Sequence, residues 1–134
     1  MTAFPPRLPV TPAQIDAQVT AFYAAVRAHP VLGPVFADHV TDWPEHEAKI
    51  ARFWRNAILR DGVYDGSPMM VHRTAGDVEA AHFPIWLGLF DEVLARTLPE
   101  EAAAAWSQMA HRIGRALRMG VEEARQPAGA VPRF

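Results

Sequence analysis

The chain has 134 residues, no cysteine and a formal net charge of -2. That length suits one domain with its own core, burying about two thirds of the surface an unfolded chain exposes. Disulfide staples, thiolate zinc sites, iron–sulfur clusters and a cysteine nucleophile are excluded, and the absence of a long basic run gives no footprint for nucleic acid or an acidic membrane surface.

The elements read in chain order as helices punctuated by proline and glycine. Residues 1–10 hold three prolines without apolar periodicity and read as a flexible arm. Thr11-Pro12-Ala13-Gln14 is a capping-box pattern with proline at the first helical position. The helix it opens carries Phe22, Tyr23 and Val26 and stops near His29-Pro30, since proline disfavours helix in the residue before it. Leu32-Gly33-Pro34-Val35-Phe36 reads as a turn-rich connection. Asp42 caps a helix through Trp43, His46 and Phe53 that ends near Arg60-Asp61-Gly62. Ser67 caps a short helix with Pro68 in its first turn, extending to about Gly76 and carrying His72. Phe83-Pro84 opens the next, with Phe83, Trp86, Leu87, Phe90 and Leu94 at helical spacing. Pro99-Glu100-Glu101 opens the last, whose stripe is Trp106, Met109, Ile113 and Leu117. Residues 126–134 read as a flexible tail, leaving a folded domain over 11–125. No stretch alternates with period two, so the fold is all-α. No apolar run reaches the roughly 18 residues of a membrane span and the start lacks a signal-peptide core, so the expected compartment is cytoplasmic.

His46 lies on the same helical face as Ile50, Phe53, Trp54 and Ala57, so its imidazole points where the apolar side chains point. Leaving its nitrogens unsatisfied would cost about 1–3 kcal/mol. If the His46 helix and the Phe83 helix pack on the Tyr23 helix, Tyr23, His46 and Trp86 converge among Phe36 and Phe53. Buried Tyr and Trp ordinarily find a partner for O–H and N–H, so the convergence calls for a polar guest in an apolar pocket. A diatomic ligand on iron is such a guest. On the facing wall His72 presents a neutral imidazole nitrogen to the metal, while its other nitrogen donates to a carbonyl one turn back, from Pro68 or Met69. Trp54, Phe90 and Trp106 read as core, and His29, His39, His82 and His111 as solvated or capping residues beside loops and helix ends.

At these positions the chain resembles the truncated haemoglobins, and specifically their third group. The likeness is carried by Phe22-Tyr23, Leu32-Gly33-Pro34-Val35-Phe36, Trp43-Pro44-Glu45-His46, Phe53-Trp54, Tyr64-Asp65-Gly66-Ser67-Pro68 followed by His72, and Phe83 with Ile85-Trp86-Leu87 and Leu89-Phe90. The glycine pairs typical of the other two groups are absent. The resemblance implies a globin-like, two-over-two helical sandwich around haem b. It makes His72 the proximal iron ligand, Tyr23 and Trp86 distal donors, His46 a distal gate or further donor, and Phe36 a haem-packing ring. Phe53 and Trp86 border the same cofactor. Lys49 corresponds to a position that contacts a haem propionate, with Arg52 and Arg73 as weaker candidates.

Two functions stay open at this stage. One is haem-dependent redox chemistry, oxidising nitric oxide or reducing peroxide, with electrons from an external reductase. The other is a non-catalytic module that stores, delivers or senses dioxygen, carbon monoxide or another diatomic. Residues 68–71 are Pro-Met-Met-Val and offer no carboxylate beside His72 to make it strongly electron-donating. A helical interaction domain whose aromatics are all core is the reading without haem.

Overall fold

The structure, a computed structural model, describes residues 6–60, 62, 68, 72 and 78–124. Helix α1 spans Pro12–Ala28, α2 Leu32–Ala37, α3 Trp43–Leu59, α4 His82–Thr97 and α5 Glu100–Ala124. No strand occurs among the described residues.

The helix starts follow local chemistry. Thr11 Oγ1 accepts the Gln14 amide at 3.2 Å while Gln14 Oε1 accepts the Thr11 amide at 2.9 Å, a reciprocal cap that satisfies two donors with no intrahelical partner. Asp42 Oδ1 accepts the Glu45 amide at 3.1 Å and opens α3. That helix closes on Arg60, which adopts the left-handed conformation at φ 61°. Glu100 and Glu101 place negative charge in the first turn of α5.

Two sequence expectations change here. Leu32–Ala37 is a helix, not a turn-rich connection. Pro34 falls early enough in it that its missing N–H costs no bond, and His29 Nδ1 accepts the amides of Val31 and Leu32 at 3.1 and 3.2 Å. Gly33 permits the tight crossing onto α1, where an added Cβ would stand 3.0 Å from the Arg27 carbonyl oxygen. The second change concerns the expected N-terminal arm. Within it, the Arg7 amide donates to the Ile58 carbonyl at 2.7 Å, Leu8 packs against the core and Val10 is buried. Of the short helix read over Ser67–Gly76, Pro68 and His72 are described, and both are helical. Ser67, Met69, Arg73 and the C-terminal tail lie outside the described residues.

Helix α1 packs on α3 and α4, and α4 packs on α5, while α2 bridges α1 and α4. The core they enclose is aromatic. Phe22, Trp54, Phe90 and Trp106 are each at most 2% exposed and meet through ring contacts, with Trp54 5.4 Å from Trp106 and Phe90 5.0 Å from Phe22. Gln18, fully buried on α1, is the polar exception. Its Nε2 donates to the Phe90 carbonyl at 3.3 Å and its Oε1 accepts the Thr97 hydroxyl at 2.7 Å, tying α1 to the middle and the C-terminal end of α4. Between α3 and α5 the backbones stay apart. Side chains fill that gap at the Trp54–Trp106 contact and leave it open above, which positions the cavity described next.

Candidate functional site

A cavity of about 310 Å³ opens among α1, α2, α3, His72, α4 and α5. Tyr23, Phe36, His46, Lys49, Phe53, His72 and Trp86, all expected from the sequence, line it, whereas Arg52, a weaker propionate candidate, is exposed on α3 and is not among the lining residues. Leu32, Val35, Ile50, Ile113 and Leu117 complete walls that are largely apolar, so the few polar atoms that reach the interior decide what can bind.

Tyr23 is 3% exposed, and its ring is held edge-on by Phe22 at 5.0 Å, His46 at 4.9 Å and Phe36 at 5.7 Å. Burial, reinforced by the negative charge of Glu47, holds the phenol protonated by raising its pKa far above the ordinary value. It is therefore a hydrogen-bond donor at any physiological pH. Burial, with a smaller contribution from Lys49, lowers the His46 pKa and favours the neutral ring. His46 Nε2 is buried with no hydrogen-bond partner among the described residues. Trp86 stacks on Phe90 at 5.1 Å and meets Phe22 edge-on at 5.3 Å, fixing its indole at the cavity wall. An unpartnered imidazole nitrogen, a protonated phenol and an indole thus border one apolar space.

On the other wall His72 Nδ1 lies 2.6 Å from the Pro68 carbonyl oxygen. A carbonyl only accepts, so Nδ1 carries the proton and donates, which leaves the Nε2 lone pair of the neutral ring available for a metal. The Phe83 ring flanks the imidazole at 5.8 Å. Of the two carbonyls the sequence offered, Pro68 is the one used.

Two residues read as solvated or capping also reach the cavity. His39, exposed after α2, and His82, at the first turn of α4, both line it. His82 is a cap as well, since its Nδ1 accepts the Glu79 amide at 3.0 Å. Helix spacing gave no signal for either, because both sit where elements end. His29 caps α2 as expected of a capping residue, and His111 Nε2 donates to Asp91 Oδ2 at 2.8 Å. Asp91 also accepts the Ser107 hydroxyl at 2.7 Å, so Ser107 faces a shared carboxylate rather than a base and forms no nucleophilic pair with His111. Among the described residues no cluster of His and carboxylate could hold a bare metal ion. No described helix is long and apolar enough to cross a membrane.

A short all-helical bundle with a polar-roofed cavity opposite one poised imidazole has the architecture of a globin. No family model matches the chain. It is 36% identical over 96 residues to the group 3 truncated haemoglobin of Campylobacter jejuni, covering 69% of this chain and 76% of that one. The crystal structure of the group III truncated haemoglobin from Campylobacter jejuni superposes with a TM-score of 0.80 at 32% identity, over 84% of this chain and 91% of that one. The chain belongs to the group III truncated haemoglobins, and its fold is the shortened, two-over-two globin sandwich.

The residues present fit the prosthetic group of that family. The available Nε2 of His72 would suit a ligand to the haem iron, the apolar walls would suit a porphyrin, and His46 Nε2, without a partner among the described residues, is a buried polar atom that a further guest would satisfy.

Proposed function

We propose that the chain binds haem b through His72 and holds dioxygen or a related diatomic against Tyr23, His46 and Trp86 for redox detoxification of nitric oxide or peroxide. The observation that carries this reading is the buried His46 Nε2, without a partner among the described residues, on a ring 4.9 Å from that of the protonated Tyr23, at a cavity largely walled by apolar side chains. Haem supplies a metal that takes small ligands and exchanges electrons.

The protein's part is orientation and charge. His72, with Nδ1 tied to Pro68, would be fixed in the tautomer that offers Nε2, and a backbone carbonyl raises the basicity of that nitrogen less than a carboxylate would. Tyr23 and Trp86 would each offer one X–H donor to a diatomic in the cavity, and because both rings are locked by aromatic neighbours little reorganisation would be needed. Phe36 and Phe53 exclude water from the same space. Lys49, exposed on α3 and bordering the cavity, would offer its ammonium to a propionate of the bound haem. Strong donation slows dioxygen release, which suits a scavenger better than a carrier.

The test is kinetic. Haem-loaded ferrous protein saturated with dioxygen is mixed with nitric oxide and a reductant. One nitric oxide, one dioxygen and one electron make one nitrate, so repeated turnover at the reductant's expense supports the redox reading. A single stoichiometric conversion without ready re-reduction contradicts it and leaves the storage or sensing role.

A further inference from the structure

Beyond Tyr23, His46, His72 and Trp86, further polar side chains border the cavity: His39 and Lys49, both exposed, and His82, partly buried. Exposed lining residues mark where the cavity meets solvent. His82 directly precedes Phe83, whose ring flanks the His72 imidazole at 5.8 Å, so it belongs to the His72 wall, whereas Lys49 stands on the helix that carries His46.

The His82 ring is held in one tautomer by a reciprocal pair of bonds with Glu79. The His82 amide donates to the Glu79 carbonyl at 3.0 Å, and His82 Nδ1 accepts the Glu79 amide at 3.0 Å. An amide N–H only donates, so Nδ1 is bare and the single proton of the neutral ring sits on Nε2. His72 is the inverse, since the Pro68 carbonyl puts its proton on Nδ1 and leaves a lone pair on Nε2. One imidazole of this wall thus offers a lone pair suited to a metal, and the other an N–H suited to an anion.

We propose that His82 is an anion anchor at the cavity mouth, donating its Nε2–H to a carboxylate of the bound pigment from the His72 side while Lys49 serves the same edge from α3. The inference rests on the reading that the cavity takes haem b.

Haem b is an apolar disc with two propionate carboxylates along one edge. Burying a carboxylate without partners is costly, so that edge would turn to the solvent-facing mouth and to the donors standing there. Hydrogen bonds to ionised acceptors are about twice as strong as neutral ones, so an N–H without formal charge is an effective partner. The two anchors differ in what they lose on binding. The long stem of exposed Lys49 must be ordered, whereas the His82 ring is already fixed by Glu79 and gives up little rotamer freedom.

The experiment follows pigment transfer from the ferric, loaded protein to excess apomyoglobin, read by absorbance, for wild type, His82→Asn and His82→Gln. Asn keeps an acceptor at the place of Nδ1 and stops short of Nε2. Gln keeps a donor at the place of Nε2 and gives up the Nδ1 acceptor. Each protein is loaded with haem b and, separately, with its dimethyl ester, which keeps iron and ring but has no carboxylate. His82→Asn should lose haem b roughly three- to tenfold faster, the effect of one charge-assisted hydrogen bond at a partly exposed site. His82→Gln should stay within about threefold of wild type, because its donor is neutral and retained. With the dimethyl ester, whose neutral oxygens accept only weakly, the three rates should agree within about twofold. His82→Asn at the wild-type rate for haem b overturns the proposal. So does an equal acceleration with the dimethyl ester, because a merely structural role does not distinguish the two pigments. A wild-type chain that takes up neither pigment refutes the haem reading itself, and the anchor with it.

Discussion

Replacing Tyr23 by Phe isolates one oxygen atom. The ring is clamped edge-on by Phe22, Phe36 and His46 within 5.7 Å and is 3% exposed, so the phenyl should keep its place and only the hydroxyl is lost. A hydrogen bond to a ligand with substantial negative charge is worth about 1.5–3 kcal/mol, which translates to roughly ten- to 150-fold faster dissociation of dioxygen. Carbon monoxide accumulates less charge when bound, so its dissociation should change far less and serves as the internal control. Folding stability supplies a second control: Tyr23 lines the cavity and its ring packing is kept by Phe, so removal of the hydroxyl should not lower the denaturation midpoint. Dioxygen displacement by carbon monoxide in a stopped-flow mixer gives the rates. An unchanged dioxygen rate in a variant of wild-type stability would refute the assignment of Tyr23 as donor.

Gln18 offers a test of packing rather than ligand chemistry. Gln18→Ala removes the hydrogen bonds to Phe90 and Thr97 and leaves a void, and should cost about 2–4 kcal/mol in urea unfolding, whereas Gln18→Leu refills the volume and should cost less. Equal losses for the two would show that the polar tie, not the volume, decides. His46 predicts a pH dependence. Its folded-state pKa is depressed, so below the unfolded value of about 6.5 the unfolded chain takes the proton first, and stability falls with pH until the folded-state value is passed. Unfolding midpoints measured at neutral and mildly acid pH should therefore drop more for wild type than for His46→Gln, and parallel curves would contradict this.

Much of this site could be read before folding because helix periodicity alone decides which side chains share a face. The faces that periodicity gives Tyr23, His46 and Trp86 bring the three together once α3 and α4 pack on α1, and all three line the cavity. The starts of α1, α3 and α5 were equally legible, since Thr11, Asp42 and Pro99 act on amides within a turn of themselves. What escaped was set by distant partners. Gln18 looks like an exposed polar position on α1 until Phe90 and Thr97, more than 70 residues away, close over it. Leu8 and Val10 carry no local period, and only the contact of Arg7 with Ile58 shows why they dock. Gly33-Pro34 reads as a breaker, and α2 forms regardless because His29 caps it from outside. His39 and His82 sit at element ends, where local pattern points to solvent, and reach the cavity through the turn of the chain.

The central claim is that His72 Nε2 holds haem iron in this cavity, and the direct measurement is the absorption spectrum of His72→Gly in ferric, ferrous and carbon monoxide forms, with and without added imidazole. The account predicts one haem per wild-type chain with a histidyl spectrum, loss of that spectrum in the variant, and its return when imidazole fills the space left by the side chain. A variant that binds haem with the wild-type spectrum in the absence of imidazole would contradict it.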